Sequence, residues 1–139
     1  MALTVEDRMG ITEMLVRYAH LVDDRDWNAL RDLFTVDAVF DLTSYGLPSR
    51  VGIEAVMDFF MTAQHPSQHY SENIDFASEE CPIEVRSKWL VAYPRGRLAG
   101  GDYVDQVRSE ANRWRLASRT VIRRWASGSV DPITERVVL

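Results

Sequence analysis

A single cysteine, Cys81, in 139 residues excludes an internal disulfide and points to a reducing compartment. Positive charge is not in excess either. Sixteen Lys and Arg against 21 Asp and Glu leave a formal charge of −5, which argues against nucleic acid as the main partner, because phosphate binding needs a basic face. No apolar run approaches the ~18 residues that cross a bilayer. The opening "MALTVEDRMG" is charged within its first seven residues and lacks a signal-peptide core. No HxH, HExxH or Cys-His spacing groups metal ligands, and no glycine-rich loop links a strand to a helix. No internal repeat, low-complexity tract or linker interrupts the chain. These absences lead to the expectation of a soluble, cytoplasmic protein that binds neither nucleic acid nor membrane and uses no metal or cofactor.

What is present is ordinary globular composition, 46% hydrophobic and 27% charged, in a length that fits one domain over residues 1–139 and can bury a core without disulfides. Ile11, Leu15, Tyr18, Ala19 and Val22 recur at helical spacing, so a helix is expected from Val5 to Val22, capped by Thr4, with Glu6 and Asp7 in its first turn. Asp26 caps a short second helix from Trp27 to Leu33 or Phe34. "AVFDL" reads as a short strand, "SYGLPSRVG" as a loop, and Ile53 to Met61 as a third helix. Four β-like runs follow: His69–Ala77, Ile83–Tyr93, Asp102–Ser109 and Trp114–Trp125. The joints "SEECP" and "PRGRLAGG" carry the Pro and Gly of hairpin connections. Helices first and strands after indicate an α+β fold, with three helices packed on a strongly curved, mainly antiparallel sheet that forms a cone.

The stretch "SQHYSENIDF" is the odd one. Its second half is an ordinary strand, but its first half has His69, Glu72 and Asn73 where a core strand would have Val or Ile. Strand alternation sends His69, Ser71, Asn73 and Asp75 one way and Tyr70, Glu72, Ile74 and Phe76 the other. Ile74 and Phe76 are the natural core side, so the polar set faces either solvent or a wetter cavity; periodicity leaves both open. A partner for the imidazole lies in "LVDDRDWNAL". Asp24 and Asp26 suit turn and cap positions, but Asp23 sits at the edge of the buried helical stripe, where an unpaired acid is costly. A histidine would satisfy it.

"YAHLVDDRDWNAL", "VDAVFDL", "SQHYSEN" and "GGDYVDQV…RWRLASRTV" together resemble the SnoaL-like branch of the NTF2-like superfamily, which includes scytalone dehydratase, hexachlorocyclohexane dehydrochlorinase and bile-acid 7α-dehydratase. The likeness runs from about Ile11 to Trp125 and rests on the order and spacing of the motifs. It implies a cone with an enclosed pocket, His69 as catalytic base and Asp23 as the carboxylate that orients it. Tyr18 matches a pocket tyrosine five residues before that acid. On an ideal helix Tyr18 lies about 140° from Asp23, so plain core remains an equal reading for it. Substrate-binding donors are expected from Asn73, Tyr103 and Arg119, although a strand arginine such as Arg119 is also at home in solvent, and "RTVIRRW" reads as a solvated face. Two features depart from scytalone dehydratase: "SKWLVAY" lacks its second histidine, and Leu42 stands where it has a pocket tyrosine.

The implied activity is a cofactor-independent lyase or isomerase that removes a proton from a small hydrophobic, cyclic substrate through the Asp23–His69 dyad. The alternative is a non-catalytic binding protein, or an accessory subunit like the small subunit of ring-hydroxylating oxygenases; a third is a structural dimer protein, which would show a filled cone with no cavity. A homodimer or homotrimer formed through the sheets is expected in either case. His20, His65 and Cys81 have no evident role in this reading, and Trp27, Trp89 and Trp114 read as packing aromatics.

Overall fold

The computed structural model describes residues 2–127. Helix α1 spans Val5–Asp23 and begins in a reciprocal cap: the Thr4 hydroxyl accepts the Asp7 amide, and the Asp7 carboxylate accepts the Thr4 amide. Its buried face is Ile11, Met14, Leu15, Tyr18, Ala19, Leu21 and Val22, the stripe that helical spacing dictates. Asp26 caps α2, Trp27–Arg31, by accepting the Ala29 amide; α2 stops short of the expected Leu33. Helix α3, Ile53–Thr62, buries Ile53, Val56, Met57, Phe59 and Phe60.

Among the described residues, six strands form one sheet: β1 Phe34–Asp41, β2 Arg50–Val51, β3 Gln68–Ser78, β4 Ile83–Ala92, β5 Leu98–Glu110 and β6 Arg113–Ala126. Their order is β2-β1-β6-β5-β4-β3. β3 to β6 are the expected antiparallel meander, while β1 pairs β6 in parallel. The sheet curls around the helices without closing, with α1 against β3 and β6 and α3 against β1. That is the expected α+β cone. No described helix is long and apolar enough to cross a membrane.

Two local features depart from the sequence reading. β5 begins at Leu98, inside the run taken for a joint. Its glycines are there for space: a Cβ on Gly100 would sit 2.6 Å from the Trp125 indole, and one on Gly101 would sit 1.9 Å from the Ile122 carbonyl oxygen and 2.8 Å from Trp89. Gly101→Ala is therefore expected to destabilise the fold by about 3 kcal/mol or more, since backbone must move; a loss under about 1 kcal/mol in urea unfolding would show that the strands part there freely.

The second feature resolves the two-way reading of β3. Asn73 has a left-handed backbone, φ 55°, and the β3–β4 register slips between Glu72 and Asp75. This bulge reverses the alternation. His69 and Ser71 turn inward before it, and Ile74 and Phe76 turn inward after it, while Asn73 itself is exposed.

Candidate active site

At the end of α1, Asp23 stands beside the first residues of β3. One carboxylate oxygen, Oδ1, accepts a hydrogen bond from His69 Nδ1 at 2.6 Å, and the other, Oδ2, accepts the His69 backbone N–H at 3.1 Å. Two bonds from one residue fix both the carboxylate plane and the imidazole tautomer: with Nδ1 protonated, Nε2 is the bare, basic nitrogen. His69 is buried and Asp23 is partly open, the side chains being 5% and 22% exposed. Burial pulls the His69 pKa below its usual 6.5, and the hydrogen bond to Asp23 only partly offsets that. The imidazole is therefore neutral near pH 7 and competent as a base.

His69 lines a hollow inside the cone. Its floor is aromatic and aliphatic, from Phe40, Phe60, Trp89, Val91 and Val121; Tyr18, Tyr103 and His65 complete the wall. Trp89 is fixed by its indole N–H, which donates to the Asp102 carbonyl at 3.0 Å. The unfilled space is narrow. The cavity volume is only about 10 Å³. That admits a water molecule, and a six-membered ring needs the wall to move.

Tyr18 and Tyr103 meet edge to face, 6.0 Å apart. The Arg119 guanidinium lies 4.1 Å from the Tyr18 ring centre and 3.7 Å from that of Tyr103. Arg119 is fully buried, not solvated as the "RTVIRRW" pattern suggested. The reason is Asp105, equally buried, whose two oxygens accept Nε and Nη2 at 2.8 Å each. Burial opposes the Arg119 cation, and Asp105 more than compensates, so its pKa is raised. Burial also pushes the Tyr18 hydroxyl up to about 12, against the pull of Arg119, and raises Tyr103. Both phenols keep their protons at neutral pH and are hydrogen-bond donors. Arg119 Nη1 has no protein partner.

The structure thus brings Tyr18, Asp23, His69, Tyr103 and Arg119 to one end of the cone. Tyr18 is both core and wall, because His69 reaches across to Asp23 and the helix need not unwind. Asn73 is the correction. Its bulge turns it to solvent, and it does not line the hollow. Asp105 and His65 escaped the sequence reading. Asp105 was signalled by its i, i+2 spacing from Tyr103, which puts both on one strand face; His65 had no such signal. Trp89 is a packing aromatic that also forms wall.

Residues 3–120 match the family model described as a SnoaL-like domain. A Novosphingobium aromaticivorans structure named as a candidate aromatic ring hydroxylase shares 30% identity over 95% of this chain and 99% of its own, with a TM-score of 0.77. Two more distant structures share the fold. The β subunit of benzoate 1,2-dioxygenase from Burkholderia mallei is 20% identical over 89% of this chain and 93% of that one, TM-score 0.71. A type 2 hexachlorocyclohexane dehydrochlorinase is 16% identical over 88% of each chain, TM-score 0.73. A search of curated proteins finds no match for the sequence. Cone, motif order and family model agree, and the chain belongs to the SnoaL-like domain family within the NTF2-like superfamily.

Proposed function

We propose that this protein is a cofactor-independent lyase or isomerase that abstracts a proton from a carbon of a small, hydrophobic cyclic substrate. The observation that carries the reading is the two-point hold of Asp23 on His69. It leaves Nε2 as base, on the far side of the ring from the carboxylate, and places a negative charge where the imidazolium will form. A base alone is slow against an ordinary C–H bond, so charge developing on the substrate needs donors. The neutral hydroxyls of Tyr18 and Tyr103, polarised by Arg119, are the groups available. They favour a substrate whose acidic C–H neighbours an oxygen acceptor. The proton taken by Nε2 returns to a different carbon in an isomerisation, or goes to the leaving group in an elimination.

The test is solvent exchange: a panel of enolisable cyclic ketones in heavy water, followed by proton NMR for loss of the α-hydrogen signal. Exchange that requires the protein supports the reading. Asp23→Asn keeps the shape and removes the charge, so exchange is expected to slow by up to roughly 10⁴-fold. Because burial lowers the His69 pKa, the acid limb of the kcat/KM profile is expected below pH 6.5, and Asp23→Asn moves it lower still. An acid limb above pH 6.5 would point to another base.

The narrowness of the hollow favours a second reading, a binding or accessory subunit in which His69 has only a structural bond. Exchange at the solvent rate for every ketone tried, with tight binding of one of them, would establish it. On either reading self-association is supported by the outer face of the sheet, where Tyr70, Leu90 and Trp125 line up along one row of β3, β4 and β6, all partly exposed.

A further inference from the structure

The hollow is too small for the substrate proposed above, so some part of its wall opens. Among the described residues that line it, His65 alone stands outside a helix or strand. It belongs to residues 63–67, between the end of α3 and the start of β3. Helix and sheet residues are held by repeating ladders, whereas this segment is held by a few separate bonds, and such segments open locally at least cost. The His65 ring stacks on Phe60, 5.6 Å away at 20°, and lies 5.5 Å from Trp27. Its Nε2 donates to the Phe60 carbonyl at 2.7 Å, and the Ser67 amide donates to the Ala92 carbonyl at 2.8 Å.

A further fastening comes from one side chain. Arg25, in the turn after α1, donates through Nη1 to the Val22 carbonyl at 2.7 Å and through Nη2 to the carbonyls of His65 and Pro66 at 3.3 and 3.1 Å. Its backbone is left-handed, φ 56°, and it lies two residues beyond the carboxylate that holds His69. One guanidinium thus ties the end of α1 to the segment that carries His65.

We propose that residues 63–67 are the entrance to the cavity, that the His65 ring sets the size of molecule admitted, and that Arg25 is the latch that holds the entrance shut. This rests on the cavity being the substrate site, as proposed above. Its test reads entry and not turnover, so the gate and the catalytic reading can fail separately.

The probe is 1-naphthol, a neutral two-ring aromatic, followed by stopped-flow tryptophan fluorescence. Arg25→Ala is expected to raise its association rate at least ten-fold. Amide hydrogen exchange of residues 63–67 should rise at least ten-fold in the same variant, with β3 to β6 unchanged. Unchanged entry and unchanged exchange in a folded Arg25→Ala protein would overturn the latch. Faster exchange spread evenly over the sheet would overturn it too, since that is general loosening. His65→Ala removes the ring and leaves Arg25 in place. It should admit 1-naphthol faster than wild type even if Arg25→Ala does not fold, and naphthol entry no faster in His65→Ala rejects the entrance itself.

Discussion

Asp105→Ala is expected to destabilise the protein by roughly 3–5 kcal/mol, because it strands a fully buried cation. Arg119 and Asp105 are both without solvent contact, so no water can replace the lost carboxylate unless the core opens. Arg119 Nη1 already lacks a partner, and removing the acceptors of Nε and Nη2 would leave the guanidinium with no carboxylate between two tyrosine rings. The expectation is checked by urea unfolding, read as a fall in midpoint with little change in slope. A double replacement, Asp105→Leu with Arg119→Met, separates the cost of an unpaired charge from the value of the pair. Apolar side chains of similar bulk have no desolvation to repay, so the double variant should regain most of the loss. A cost below about 1 kcal/mol for Asp105→Ala alone would mean that Arg119 finds another acceptor or leaves the core. The double variant would also lose the polarisation of Tyr18 and Tyr103, so a stable protein with little exchange activity is the expected combination.

How far the sequence carries the structure depends on whether a feature is local. The Thr4–Asp7 cap, the buried stripe of α1 and the β3–β6 meander follow from spacing and turn chemistry within a few residues, and they were legible. The meeting of Asp23 with His69 was legible for another reason: an acid at the edge of a buried stripe needs a partner, and the histidine opening β3 had no reason to be there otherwise. Three features were not legible. An asparagine tolerates a left-handed backbone, but strand periodicity does not show where one is adopted, so the Asn73 bulge, and with it the reversal of facing along β3, was not legible. Arg119 reads as solvated until Asp105 is known to lie across the β5–β6 pair. The glycines at 100 and 101 read as a turn because the indoles that need their space come from β4 and β6. In each case the deciding contact is between strands, and the sequence alone does not show the pairing register.

His69→Ala is expected to slow proton abstraction by about 10²–10⁴-fold, the usual contribution of a positioned base, while the protein stays folded. The two effects separate because of where the pair sits. Asp23 is 22% exposed at its side chain, so water can take up the oxygen that Nδ1 leaves, and Oδ2 keeps its bond from the backbone amide of residue 69. The cost in stability is then limited to one hydrogen bond and a small cavity, about 1–2 kcal/mol. The vacated space is the size of an imidazole and adjoins the hollow, so added free imidazole should restore part of the activity of the alanine variant, with the acid limb of its pH profile following the pKa of the added base. A protein that had lost its activity through misfolding would not respond to imidazole. Should His69→Ala retain full exchange activity on a ketone that the wild type deprotonates, the base is some other group, and the Asp23 contact is a structural bond holding β3 against α1.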